Sequence, residues 1–101
     1  MKFPKLEIDD SIIAALAKKY KVKELALFGS VLRDDFNDSS DIDILVEFND
    51  DGQYSLFDLY RIRDEFEEAL GKEVDLVEKQ SIRNPYRRDT ILNSAKVIYA
   101  T

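Results

Sequence analysis

Hydrophobic positions along the chain repeat with two periods, and the switches between them divide it into helices and strands. Ile12, Ile13, Leu16 and Ala17 recur at helical spacing, which predicts a first helix from about Asp10 to Tyr20. Asp9, Asp10 or Ser11 can cap its start, and Lys18, Lys19 and Lys21 near its end complement the helix dipole. The next apolar run is too short for an average helix and stops at Gly29. Glu24 to Phe28 therefore reads as a strand, followed by a short helical turn over Ser30 to Arg33. After the polar stretch 34–40, a second strand runs from about Asp41 to Phe48. Period-two alternation places Ile42, Ile44, Val46 and Phe48 on one face and Asp41, Asp43, Leu45 and Glu47 on the other.

A turn at Asn49-Asp50-Asp51-Gly52 ends that strand, and helical spacing returns over Ser55 to Leu70 through Leu56, Leu59, Tyr60, Ile62, Phe66, Ala69 and Leu70. Gly71 suits the C-terminal cap of this helix. Lys72 to Val77 reads as a third strand, with Val74 and Leu76 facing one way and Asp75 and Val77 the other. A last helix is predicted from near Pro85 through Ile91, Leu92, Ala95, Val97, Ile98 and Tyr99. Strands alternating with helices place the chain in the α/β class.

The totals narrow the picture. A chain of 101 residues fits one domain, here 1–101, which should bury roughly 60 to 65% of its unfolded surface. A hydrophobic fraction of 45% with 36% charged residues describes a globular protein, and two prolines and three glycines leave little room for linkers. The net charge of -6 argues against general affinity for nucleic acid, because such binding depends on Lys and Arg displacing phosphate counterions. A bound metal reverses that sign locally, so nucleoside triphosphates stay admissible. The absence of cysteine and histidine excludes a disulfide, a thiolate nucleophile, a histidine base and a Cys/His zinc site. No apolar stretch approaches the ~20 residues of a membrane span, and Met1-Lys2-Phe3-Pro4-Lys5 is not followed by a signal-like apolar region. The default expectation is a cytoplasmic protein.

Carboxylates are what remain as metal ligands and bases. Asp41 and Asp43, one residue apart on one strand face, are candidates to hold a divalent ion, against the plainer reading of an acidic strand start. Asp43 lies inside an apolar run where an unpaired carboxylate is expensive to desolvate. Asp75 offers a third carboxylate on another short strand, and three hard oxygen donors suit Mg²⁺, or Mn²⁺ in its place. Gly29-Ser30 can form a close turn whose amides receive a phosphate, or an ordinary turn. Arg33 can reach that phosphate or anchor the acidic loop. Other residues read plainly. Ser40 reads as a loop-to-strand cap, Arg83, Arg87, Arg88 and Lys96 as a solvated face, and Tyr54, Phe57, Tyr60 and Phe66 as core or oligomer packing.

With Gly29-Ser30, Arg33, Ser40-Asp41-Ile42-Asp43-Ile44-Leu45-Val46 and Val74-Asp75-Leu76-Val77 in this order, the chain resembles the minimal nucleotidyltransferases of the DNA polymerase beta superfamily. In particular it resembles the small MNT domains paired with HEPN proteins in prokaryotic toxin–antitoxin modules. Many members carry small residues and a glycine beside the arginine, where this chain has Val31-Leu32-Arg33-Asp34. The resemblance implies a small mixed sheet of three to four strands packed against helices. It further implies Gly29-Ser30 at a triphosphate and Asp41, Asp43 and Asp75 around two divalent metals, with Mg²⁺ and ATP as cofactor and substrate. The implied reaction moves AMP from ATP to a hydroxyl, the implied acceptor being a tyrosine of a HEPN ribonuclease toxin that the transfer silences. Two alternatives stand beside it: a non-catalytic antitoxin or binding module acting by complex formation, and transfer to a small molecule. Base preference and homo- or hetero-oligomeric state stay open.

Overall fold

Helix starts and strand register explain how the sequence builds the sheet that carries the candidate residues. The computed structural model of the chain describes residues 2–3, 6–32, 41–49 and 54–101. It opens with two short antiparallel strands, β1 (Lys2–Phe3) and β2 (Leu6–Glu7), which are too brief to show a hydrophobic period. Helix α1 (Asp10–Lys19) begins where Asp9 accepts hydrogen bonds from the Ser11 and Ile12 amides at 3.0 and 3.4 Å, two donors that a helix start otherwise leaves unpaired. Strand β3 (Val22–Phe28) starts two residues before the expected strand, and a 3-10 turn at Gly29–Leu32 follows. Strand β4 (Ile42–Phe48) leads to helix α2 (Leu56–Leu70), whose start is closed by a reciprocal Ser55–Asp58 capping box. Gly71, at φ +70°, ends α2 as expected. Strand β5 (Val74–Glu78), helix α3 (Pro85–Ser94) and strand β6 (Lys96–Ala100) complete the order.

Apart from the β1–β2 pair, the strands form a four-stranded mixed sheet in the order β5-β4-β3-β6. Strand β3 runs antiparallel to both neighbours, while β4 and β5 are parallel, and α2 is the crossover that a parallel pair requires. The alternation read from β4 holds. Ile42, Ile44 and Val46 face α1 and α2, joining Ile13, Ile62 and Phe66 in the main core. Leu45 lies on the other face with Ala26, Phe28, Ile82 and Ile91. Lys19 and Glu65, 2.7 Å apart, link α1 to α2 at the surface.

The predicted last helix is corrected at its end. Helix α3 stops at Ser94, Ala95 is extended, and Lys96–Ala100 pair with β3 through Leu25↔Tyr99 and Ala26↔Val97. Val97, Ile98 and Tyr99 are β-branched or aromatic and fit a pleated surface better than a helix. Neither a glycine nor a proline marks the boundary, so the helical pattern appeared to continue.

Candidate functional site

Strand β3 ends beside the middle of the acidic motif, with Phe28 directly opposite Asp43 of β4. The chain then leaves the sheet through Gly29, at φ +76°. A β-carbon placed on Gly29 would lie 2.1 Å from Asp43 Oδ2 and 3.1 Å from its Cγ. The Asp43 carboxylate therefore rests against the bare α-carbon of Gly29, in a place that a side chain here would force it to leave. Both the backbone conformation and the close approach call for glycine here. Of the predicted phosphate turn, Gly29 is thus placed at the site; the Ser30 side chain and Arg33 lie outside the described residues.

Asp75 arrives from the other side of β4. The parallel register pairs Asp43 with Asp75 and Ile42 with Val74, so the two aspartates sit side by side on one face of the sheet. A hydrogen bond of 2.9 Å from the Ile42 amide to the Glu73 carbonyl begins this pairing. Asp41 precedes β4 by one residue, on the same side by alternation. Asp43 is half-buried, while Asp41 and Asp75 are exposed. Among the described residues, no group of three or more carboxylates converges closely enough to hold one ion. The structure thus brings Asp43 to both Gly29 and Asp75, and leaves the three carboxylates neighbours rather than a closed cage. Their all-oxygen donor set is the type that Mg²⁺ prefers.

A groove of about 530 Å³ runs between β5 and α2. Asp41 and Asp75 line it together with Leu56, Tyr60, Glu73 and Leu76. This changes the expectation for the aromatic residues. Phe66 is core and Tyr54 is half-buried against Phe48, with ring centroids 4.8 Å apart, but Phe57 is 80% exposed and Tyr60 47%. Ile62 and Phe66, one helical turn apart, set the inward direction of α2, and Phe57 falls outside that stripe. Sequence reasoning missed Glu73 as a neighbour of the site; its position two residues before Asp75 was the available signal. Arg83, Arg87 and Lys96 are exposed, in agreement with a solvated face. Among the described residues, no helix is long and apolar enough to cross a membrane.

The family model described as nucleotidyltransferase domain matches residues 10–98, and the chain belongs to that family. A Methanocaldococcus jannaschii protein provisionally named a protein adenylyltransferase is 49% identical over 89 residues, covering 88% of this chain and 91% of that protein. The protein adenylyltransferase MntA of Thermococcus cleftensis is 36% identical over 83 residues, covering 78% and 82% of the two chains. Two solved structures share the fold. One, a toxin–antitoxin with AMP-PNP, superposes with a TM-score of 0.74 at 24% identity, covering 93% of this chain and 75% of the other. The second holds a tri-AMPylated Shewanella oneidensis HEPN toxin in complex with MNT antitoxin, with a TM-score of 0.64 at 23% identity and coverage of 91% and 70%.

Proposed function

We propose that residues 1–101 act as a single protein adenylyltransferase domain in the cytoplasm, moving AMP from ATP to a tyrosine hydroxyl of a HEPN-type toxin and thereby serving as its antitoxin. The observation that carries this reading is the contact of Gly29 with Asp43, since it joins the phosphate turn to the acidic strand at one point. The names of the adenylyltransferase relatives supply the transferred group, and the complex of MNT antitoxin with AMPylated HEPN toxin supplies the acceptor class.

In this reading the triphosphate lies over the turn that begins at Gly29 and is received by the backbone amides of that turn. Ser30 and Arg33 contact its oxygens. Asp41, Asp43 and Asp75 would hold two Mg²⁺ ions, or Mn²⁺ in their place, which would neutralise charge on the phosphates and acidify the acceptor hydroxyl. The acceptor oxygen attacks the α-phosphorus in line and forms the new O–P bond. The bond from that phosphorus to the α,β-bridging oxygen breaks, and pyrophosphate leaves with its electron pair. Asp75, the exposed member of the register pair, accepts the hydroxyl proton.

The test is incubation with ATP, Mg²⁺ and a HEPN-family toxin protein, followed by intact mass measurement. The expected result is a mass gain of one adenylyl group on the HEPN protein. Asp43→Asn should slow it by about 100-fold or more, roughly 3 kcal/mol in the barrier. Transfer at an unchanged rate in that variant would remove Asp43 from the reaction. Neutralisation of the toxin that persists in Asp41→Asn/Asp43→Asn would favour action by complex formation alone.

A further inference from the structure

The groove beside the carboxylates has the features of a seat for an extended polypeptide. It runs along β5, which lies at one edge of the sheet, and edge strands can take up a further strand through their outward amides and carbonyls. Its opposite wall is the first part of α2, where Leu56 is 62% exposed and Tyr60 47%. Apolar side chains lie open to solvent immediately beside a strand edge, and both border the same two aspartates.

The charge of the groove defines what it takes. Glu73 and Asp75 are exposed at its acidic end. Among the described residues, the one cation in its lining is Arg63, which faces Glu67 and Asp64 at 3.3 Å each and lies over the Tyr60 ring at 5.1 Å. Among the described lining residues the four carboxylates of Asp41, Glu67, Glu73 and Asp75 outnumber that cation, so an acidic occupant is disfavoured. An occupant carrying Lys or Arg complements Glu73 and Asp75, while its apolar residues cover Leu56 and Tyr60.

We infer that the groove between β5 and α2 binds an extended, basic and apolar segment of the acceptor protein, laid along β5 so that its hydroxyl-bearing residue reaches Asp75. This rests on the transfer reading for its purpose, but binding to the groove is measurable without transfer. The occupant adds main-chain hydrogen bonds at the β5 edge, alternate side chains enter the apolar wall, and the basic residues lie at the acidic end.

Fluorescence anisotropy of labelled short peptides with the full chain, in the absence of ATP, tests this. The peptides share a Tyr-Leu centre flanked by Lys and Arg in one and by Asp and Glu in the other. The basic peptide should bind at least about tenfold more tightly, and Leu56→Ser/Tyr60→Ser should remove about tenfold of its affinity. Because both replaced residues are uncharged, general attraction between a basic peptide and an acidic protein predicts no such loss. Glu73→Gln should weaken binding by a smaller factor and flatten its salt dependence. Equal binding of the two peptides, or unchanged affinity in the double variant, overturns the assignment. Self-association of the chain that disappears in the double variant also overturns it, giving the groove to a second copy. Failure of AMP transfer to the HEPN protein with peptide discrimination intact removes the reaction and leaves the groove assigned.

Discussion

The two faces of the sheet are unequally covered. On one, α1 and α2 enclose Ile13, Ile42, Ile44, Ile62 and Phe66, all at 2% exposure or less. On the other, Ala26, Phe28 and Leu45 are covered by Ile82 and Ile91, themselves 7% exposed, and most of α3 remains open to solvent. Asp41, Asp43 and Asp75 belong to this thinly covered face. The comparison teaches a division of roles: apolar burial on the first face holds β4 and β5 in register, which leaves the second free to expose carboxylates that a dense core would penalise.

That division can be broken by truncating each face in turn. Phe66→Ala should cost about 4 kcal/mol in urea unfolding, since it opens a cavity among fully buried neighbours. Ile91→Ala, on the thinner face, should cost nearer 2 kcal/mol because its surroundings can relax and admit water. An equal or reversed order would show that both faces carry the fold alike.

The two left-handed glycines sharpen the comparison. Gly29 and Gly71 have nearly the same φ, +76° and +70°, but a β-carbon meets Asp43 at the first and nothing within 4 Å at the second. Gly71→Ala should therefore cost about 1 kcal/mol of stability from backbone strain, with nucleotidyl transfer unchanged. Gly29→Ala carries similar strain but also drives the Asp43 carboxylate from its place, so transfer should fall by about 10-fold or more, at least ~1.4 kcal/mol in the barrier. Thermal unfolding and rate measurements on both variants separate the two contributions.

The smallest effect is expected at the start of α2. Ser55→Ala should cost about 1 kcal/mol by removing the cap. Hydrogen bonds from the Ser55 amide, and next from its hydroxyl, hold the Asp58 carboxyl below the usual carboxylate range. A carboxyl whose folded pKa is lowered stabilises the protein above its unfolded pKa, and that contribution is lost as pH falls through the folded value. The stability gap between wild type and Ser55→Ala should thus narrow in acid, below about pH 4.

Period-two alternation made the site largely legible before its geometry was known. It placed Asp41 and Asp43 on the face opposite Ile42 and Ile44, and put Asp75 opposite Val74, as the sheet then realised. Alternation within one strand carries no information about its neighbours, so the alignment of Asp43 with Asp75 and the contact with Gly29 needed the fold. The β6 error has a different origin. Ala95, Val97 and Tyr99 also alternate, but without a turn residue after Ser94 the strand merged with the helix before it. Phe57 and Tyr60 look apolar in any window, yet only the direction set by Ile62 and Phe66 shows that they leave the core.

The late return of the chain to β3 bears on how the molecule assembles. The Thr101 amide donates to the Lys23 carbonyl at 3.0 Å, a contact between residues 78 positions apart. During synthesis β3 must therefore wait, one flank uncovered, until nearly the whole of this stretch has left the ribosome. Such distant pairings slow folding, and a nascent strand without its final neighbour is open to mispairing with another chain.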